Sequence, residues 1–134
     1  MPARYFVDEN MIAIGRALAA VRDDVVYPDH PHLPEIHRAA RDVDWLPIVG
    51  ASGRNLVVIT RDKKIRTKSA EALALRDHQV RIIFLTGSKD QTRWGKLELL
   101  VRSWDRMERA IVKAGAGPWA LSLTTSGVRD LPLW

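Results

Sequence analysis

The chain has 134 residues, 46% of them hydrophobic and 28% charged, which is enough for one domain with a core of ordinary size and no covalent staples. The absence of cysteine excludes disulfides and thiolate metal sites, and a net charge of +5 with a pI near 10.0 favours a polyanionic partner such as nucleic acid. No signal pattern opens the sequence and no apolar run approaches the ~20 residues of a membrane helix, so the chain reads as cytoplasmic, with no membrane partner.

Residues 4–7 form a short strand-forming run that ends in the paired carboxylates Asp8 and Glu9. Met11, Ile12, Ile14, Leu18 and Val21 then recur near helical spacing, in a helix closed by residues 22–24. Residues 25–27 read as a strand, and prolines at 28, 31 and 34 exclude regular helix from the loop that follows. Residues 35–41 suit a helical turn or two. Asp42-Val43-Asp44 interrupts, and a short helix over 45–51, begun by Asp44, ends near Gly53.

The β-branched run over 55–60 is a strand buried on both faces, and it stops at Arg61-Asp62-Lys63-Lys64. A helix over 69–78 and a buried strand over 80–85 follow, with a Thr86-Gly87-Ser88 turn. Trp94, Leu97, Leu100, Val101, Trp104, Met107, Ala110 and Ile111 mark a long amphipathic helix over 91–113. Gly115-Ala116-Gly117-Pro118 ends it, residues 119–124 form a last strand, and the tail is irregular. Strands alternating with helices predict a three-layer α/β/α domain with a mainly parallel sheet of about five strands.

In such a sheet ligands bind outside the carboxyl ends of the strands. Asp8 and Asp62 each follow a strand, and Asp44 begins a helix that departs from the same edge, so three acids converge there. Gathered carboxylates repel unless a cation holds them, and Mg²⁺ or Mn²⁺ prefers such oxygen ligands. Each acid also stands where an aspartate caps a helix, which is the competing reading of each one alone.

Phe6-Val7-Asp8-Glu9-Asn10, Asp44, and the run over 53–62 ending Thr60-Arg61-Asp62 together resemble the PIN-like superfamily over residues 4–86. The resemblance is to the compact branch that includes toxins of VapC-type toxin–antitoxin pairs. It implies a Mg²⁺- or Mn²⁺-dependent endoribonuclease that hydrolyses RNA with activated water and pairs with a cognate antitoxin. Of the four usual acids, Asp8 matches the first, Asp44 the third and Asp62 the fourth. The second, a glutamate, has no clear counterpart; Glu35 lies in the interval, and Glu9 is the alternative.

By this likeness Asp8, Asp44 and Asp62 are catalytic and, with Glu9, hold metal. Thr60 and Asn10 would hydrogen-bond the ligand carboxylates. Arg61, Lys63, Lys64, Arg66 and Lys68 form a basic run that would meet RNA phosphates, or else a solvated loop face. The cations of the long helix, Lys113 among them, read as its solvent face; Trp94, Trp104 and Trp119 read as core or interface aromatics. An exposed part of that helix would bury against an antitoxin or a second copy of the chain. His30, His32, His37 and His78 read as surface or structural residues.

Two other functions compete. A PIN-like domain that binds without cutting is favoured by the missing second acid. A phosphoacceptor receiver domain would explain Asp8-Glu9, Asp62 and Thr86, but it needs a lysine after its fifth strand, where Leu121-Ser122-Leu123-Thr124-Thr125 offers none.

Overall fold

The computed structural model describes residues 3–50, 55–62, 64–87 and 92–133. The strands among them are β1 (Tyr5–Val7), β2 (Val25–Val26), β3 (Val57–Thr60), β4 (Arg81–Leu85), β5 (Trp119–Thr124) and β6 (Gly127–Leu131). They form one sheet in the order β2-β1-β3-β4-β5-β6, parallel except for the β5–β6 hairpin. The helices are α1 (Ile12–Val21), entered through a 3₁₀ turn over Glu9–Met11, then α2 (Asp42–Val49), α3 (Lys64–Thr67), α4 (Ser69–Asp77) and α5 (Arg93–Ala114). None of these helices is long and apolar enough to cross a membrane.

Period-two side-chain alternation divides the core into two halves. Tyr5, Val7, Ile59, Ile83 and Leu121 face α1 and α5, where they meet Ile14, Leu18, Leu100 and Met107. Phe6, Val58, Ile82 and Phe84 face the other way, onto Trp45, Leu46 and Val49 of α2, Leu75 of α4, and Leu33 and Ile36 of the long loop. The Tyr5 hydroxyl donates to Glu108 at 2.7 Å and fastens α5 across β1. The expected three-layer α/β/α arrangement is therefore the observed one.

Four local expectations change. The sheet has a sixth strand, because residues 127–131 pair antiparallel with β5 where an irregular tail was expected. Residues 35–41 form turns and no helix: Leu33 and Ile36 are pinned into the core, and Ala39 takes a φ of 68°. The basic segment after Asp62 carries the short helix α3. Finally, α2 starts at Asp42, two residues before the expected start, with Arg41 in the extended conformation as its cap.

Helix α1 lies unusually close to β1 just behind the strand end. A Cβ on Gly15 would meet Val7 Cβ at 3.0 Å and Tyr27 Cβ at 3.3 Å. Gly15→Val is expected to push α1 off the sheet and to destabilise the fold by about 1–3 kcal/mol in denaturant titration.

Candidate metal centre

Strands β1 and β3 are parallel neighbours in the register Val7 to Ile59, and the ladder runs one bond further, from the Asp8 amide to the Ile59 carbonyl at 3.0 Å. Asp8 therefore sits at the carboxyl edge of the sheet beside the exit of β3, where Asp62 follows. It is 6% exposed. The Thr60 hydroxyl donates to Asp8 Oδ2 at 2.9 Å, and the Glu9 amide donates to Oδ1 at 2.6 Å. The Asn10 carboxamide donates to Thr60 Oγ1 at 3.2 Å and reaches Asp8 Oδ2 at 3.5 Å. Thr60 Oγ1 also accepts the Asp62 amide at 3.0 Å, so a single hydroxyl ties both strand ends together. Asp8 and Asp62 also cap: the carboxylate of Asp62 accepts the Lys64 amide at 3.0 Å, at the start of α3.

Burial pushes the Asp8 carboxyl up to about 6, and the negative charges of Asp42 and Asp62 add to the rise; the hydrogen bonds from Thr60 and Glu9 oppose it. Asp42 is also raised, first by burial and then by Asp62 and Glu71, against the hydrogen bond from Trp45 and the charge of Lys68. Asp8, Asp42 and Asp62 thus repel one another across one edge of the sheet. Glu71 on α4 stands behind Asp42, and its Oε2 is buried with no hydrogen-bond partner among the described residues.

Asp44 does not join this group. Its side chain is half exposed and clasped by Arg41, with Nε at 3.0 Å and Nη2 at 3.2 Å, and that guanidinium holds its carboxyl below the usual range. The acid of α2 whose charge acts with those of Asp8 and Asp62 is Asp42, whereas Asp44, expected at the site, is paired with Arg41. Residues two apart on a helix diverge by about 200°, so only one of the pair can face the sheet edge. The buried Trp45 settles which, because its indole N–H donates to Asp42 Oδ1 at 3.1 Å, one turn back on the same face. That i, i+3 pairing of Asp42 with a core tryptophan was the available sequence signal.

Glu9 is also engaged elsewhere. Its carboxylate accepts the Ala39 amide and lies 3.6 Å from Arg38, so it braces the 38–39 turn and does not turn onto Asp8. Arg61 is exposed at the mouth of the site. Lys64 is exposed, while Arg66 donates to the Pro132 carbonyl at 2.8 Å and is tied to the tail. Lys63, and residues 53–54 of the motif, lie outside the described residues.

Among the described residues, no group of three or more His, Cys, Asp or Glu is gathered closely enough to hold a metal ion. The donor chemistry fits a hard divalent cation, since the groups at this edge are all carboxylates and two are raised by burial and, to a lesser degree, by like charge. Thr60→Val tests the hub between the acids. It removes the hydrogen bond that lowers the Asp8 pKa, so that value is expected to rise above about 6 in a carboxyl NMR titration, with a stability loss of about 1–3 kcal/mol.

Acids carried to the carboxyl edge of a parallel sheet by two neighbouring strands and by α2 define an α/β domain with an acidic crevice. A family model described as a PIN-like domain matches residues 3–87, more than half of the chain, and the chain belongs to the PIN-like domain family. The matched stretch runs from β1 through β4 and contains Asp8, Glu9, Asp42, Asp44, Asp62 and Glu71. No curated protein and no solved structure matches the chain.

Proposed function

We propose that this protein is a metal-dependent endoribonuclease in which Asp8, Asp42 and Asp62 hold Mg²⁺ or Mn²⁺. The observation that carries this reading is the buried Asp8, raised by burial and by two further acids, at the edge where a parallel sheet receives its ligands. PIN-like domains are commonly nucleases, and a net charge of +5 suits an RNA substrate. When bound, a divalent cation supplies water activation and neutralises charge on the phosphodiester. The chain's own residues do the positioning. Thr60 fixes the spacing of Asp8 and Asp62, Asn10 supports the same hydroxyl, and Trp45 orients the Asp42 carboxylate.

The role of toxin in a toxin–antitoxin pair is part of this proposal and rests on the resemblance of the residues around Asp8 and Asp62. The surface that a cognate antitoxin would cover is the outer strip of α5, where Trp94 is 75% exposed beside Leu97 and Val101. A second copy of the chain is the other occupant to test.

The decisive experiment is cleavage of total cellular RNA with Mg²⁺ or Mn²⁺, controlled by EDTA and by an Asp8→Asn/Asp62→Asn double variant. Cleavage lost in both controls, with the variant folded, is the expected result. A second reading, RNA binding without cutting, is favoured by the open spacing of the carboxylates. Binding with no cleavage under either metal would establish it.

A further inference from the structure

We infer that Lys96, Arg61 and Arg93 form a subsite for a backbone phosphate of the bound RNA, on the α1–α5 side of the acids; this deepens the ribonuclease reading and rests on it. A cleft of about 550 Å³ opens there, and Asn10, which hydrogen-bonds the Thr60 hub, forms part of its wall. Among the described residues Arg16, Arg38, Arg61, Arg93 and Lys96 line it, against one acid, Glu9, which is already engaged by Arg38 and the Ala39 amide.

Lys96 is the unusual member. It lies in the first turn of α5 and is 6% exposed, yet its ammonium has no hydrogen-bond or ion-pair partner among the described residues. Arg61 and Arg93, which are both exposed, are its nearest charged influences, and both repel it. Three cations brought together at one cleft wall repel one another unless an anion completes the group. The amino end of α5 adds positive potential at the same place. None of the described residues lining the cleft is aromatic, so among them there is no stacking platform, and they would hold the strand by its phosphates without reading bases. The basic residues that follow Asp62 in sequence are poorer candidates, since Arg66 is tied to the tail.

The test is fluorescence anisotropy of a labelled single-stranded RNA oligomer with the full chain in EDTA, across a salt series. Lys96→Gln and Arg93→Gln are each expected to weaken binding about 10-fold and to lower the salt slope by roughly 0.7–1. Lys113→Gln, at the far end of α5, is expected to leave both unchanged. Lys96→Met is expected to melt at a higher temperature than wild type without RNA, because one member of a mutually repelling group of cations is gone. Wild-type affinity and slope in folded Lys96→Gln and Arg93→Gln, an equal loss in Lys113→Gln, or no RNA binding by the wild type would each overturn the subsite. A Lys96→Met protein that is destabilised but binds RNA normally would also overturn it, by making Lys96 a structural residue. Because EDTA removes cleavage, RNA binding that depends on Lys96 with no metal-dependent cutting would refute the nuclease reading and leave the subsite standing.

Discussion

Asp42→Asn is expected to reduce metal-dependent RNA cleavage by at least about 100-fold, whereas Asp44→Asn keeps it within about twofold. The two residues are neighbours in sequence and share a chemistry, and both stand in the first turn of α2. Their surroundings differ. Asp42 is raised by burial and by Asp62, and its own charge helps to raise Asp8, so removing it removes one wall of the proposed cation site. Asp44 is screened by solvent and neutralised by Arg41, so its loss leaves the sheet edge intact. Initial rates at saturating Mn²⁺, with circular dichroism to verify folding, make the comparison. The reverse ranking would remove α2's first residue from the site and return Asp42 to the role of a partner for Trp45.

The second large effect is on stability against pH. An acid whose pKa is raised on folding favours the folded state most when it is protonated. Its contribution is therefore complete below the ordinary value of 3.8 and is lost as the pH climbs through about 6. For Asp8 the span of about two pKa units corresponds to roughly 2–3 kcal/mol. The stability of the wild type relative to Asp8→Asn is thus expected to fall by that amount between pH 4 and pH 7 in metal-free urea titrations. The groups facing Asp8 are Asp62 from the exit of β3 and Asp42 from α2, with the neutral Thr60 and Asn10 beside it; Glu71 acts on Asp42 from α4.

A divalent cation should reverse the loss. At 100 times its dissociation constant, Mg²⁺ or Mn²⁺ bound only to the folded state restores about 2.7 kcal/mol at pH 7. In Asp8→Asn the same addition is expected to do little. Equal stabilisation of both proteins would show that the cation acts elsewhere on the chain.

These expectations mark the boundary between local and tertiary information. The β-branched runs of β3 and β4 and the stripe of α5 were legible from the sequence alone, because side-chain period and branching act within a few residues. Asp8 and Asp62 were legible for the same reason, since each follows a strand of a parallel sheet and strand ends share an edge. Strand β6 was not, because Arg129 and Asp130 carry no strand pattern and the segment is held by its hairpin partner. The choice between Asp42 and Asp44 left only the i, i+3 spacing of Asp42 and Trp45 as a trace in the sequence, and it is fixed by the rotation of α2, which the burial of Trp45 against Phe6 imposes. Lys96 reads as one more cation on a basic helix until the packing of α5 against β1 buries it near Arg61, 35 positions earlier in the chain. Local spacing determined which chemical groups this protein carries and on which strands and helices. Only the packing of those elements decided which side chains meet, because burial and charge proximity are properties of the folded sheet edge and not of any stretch of sequence.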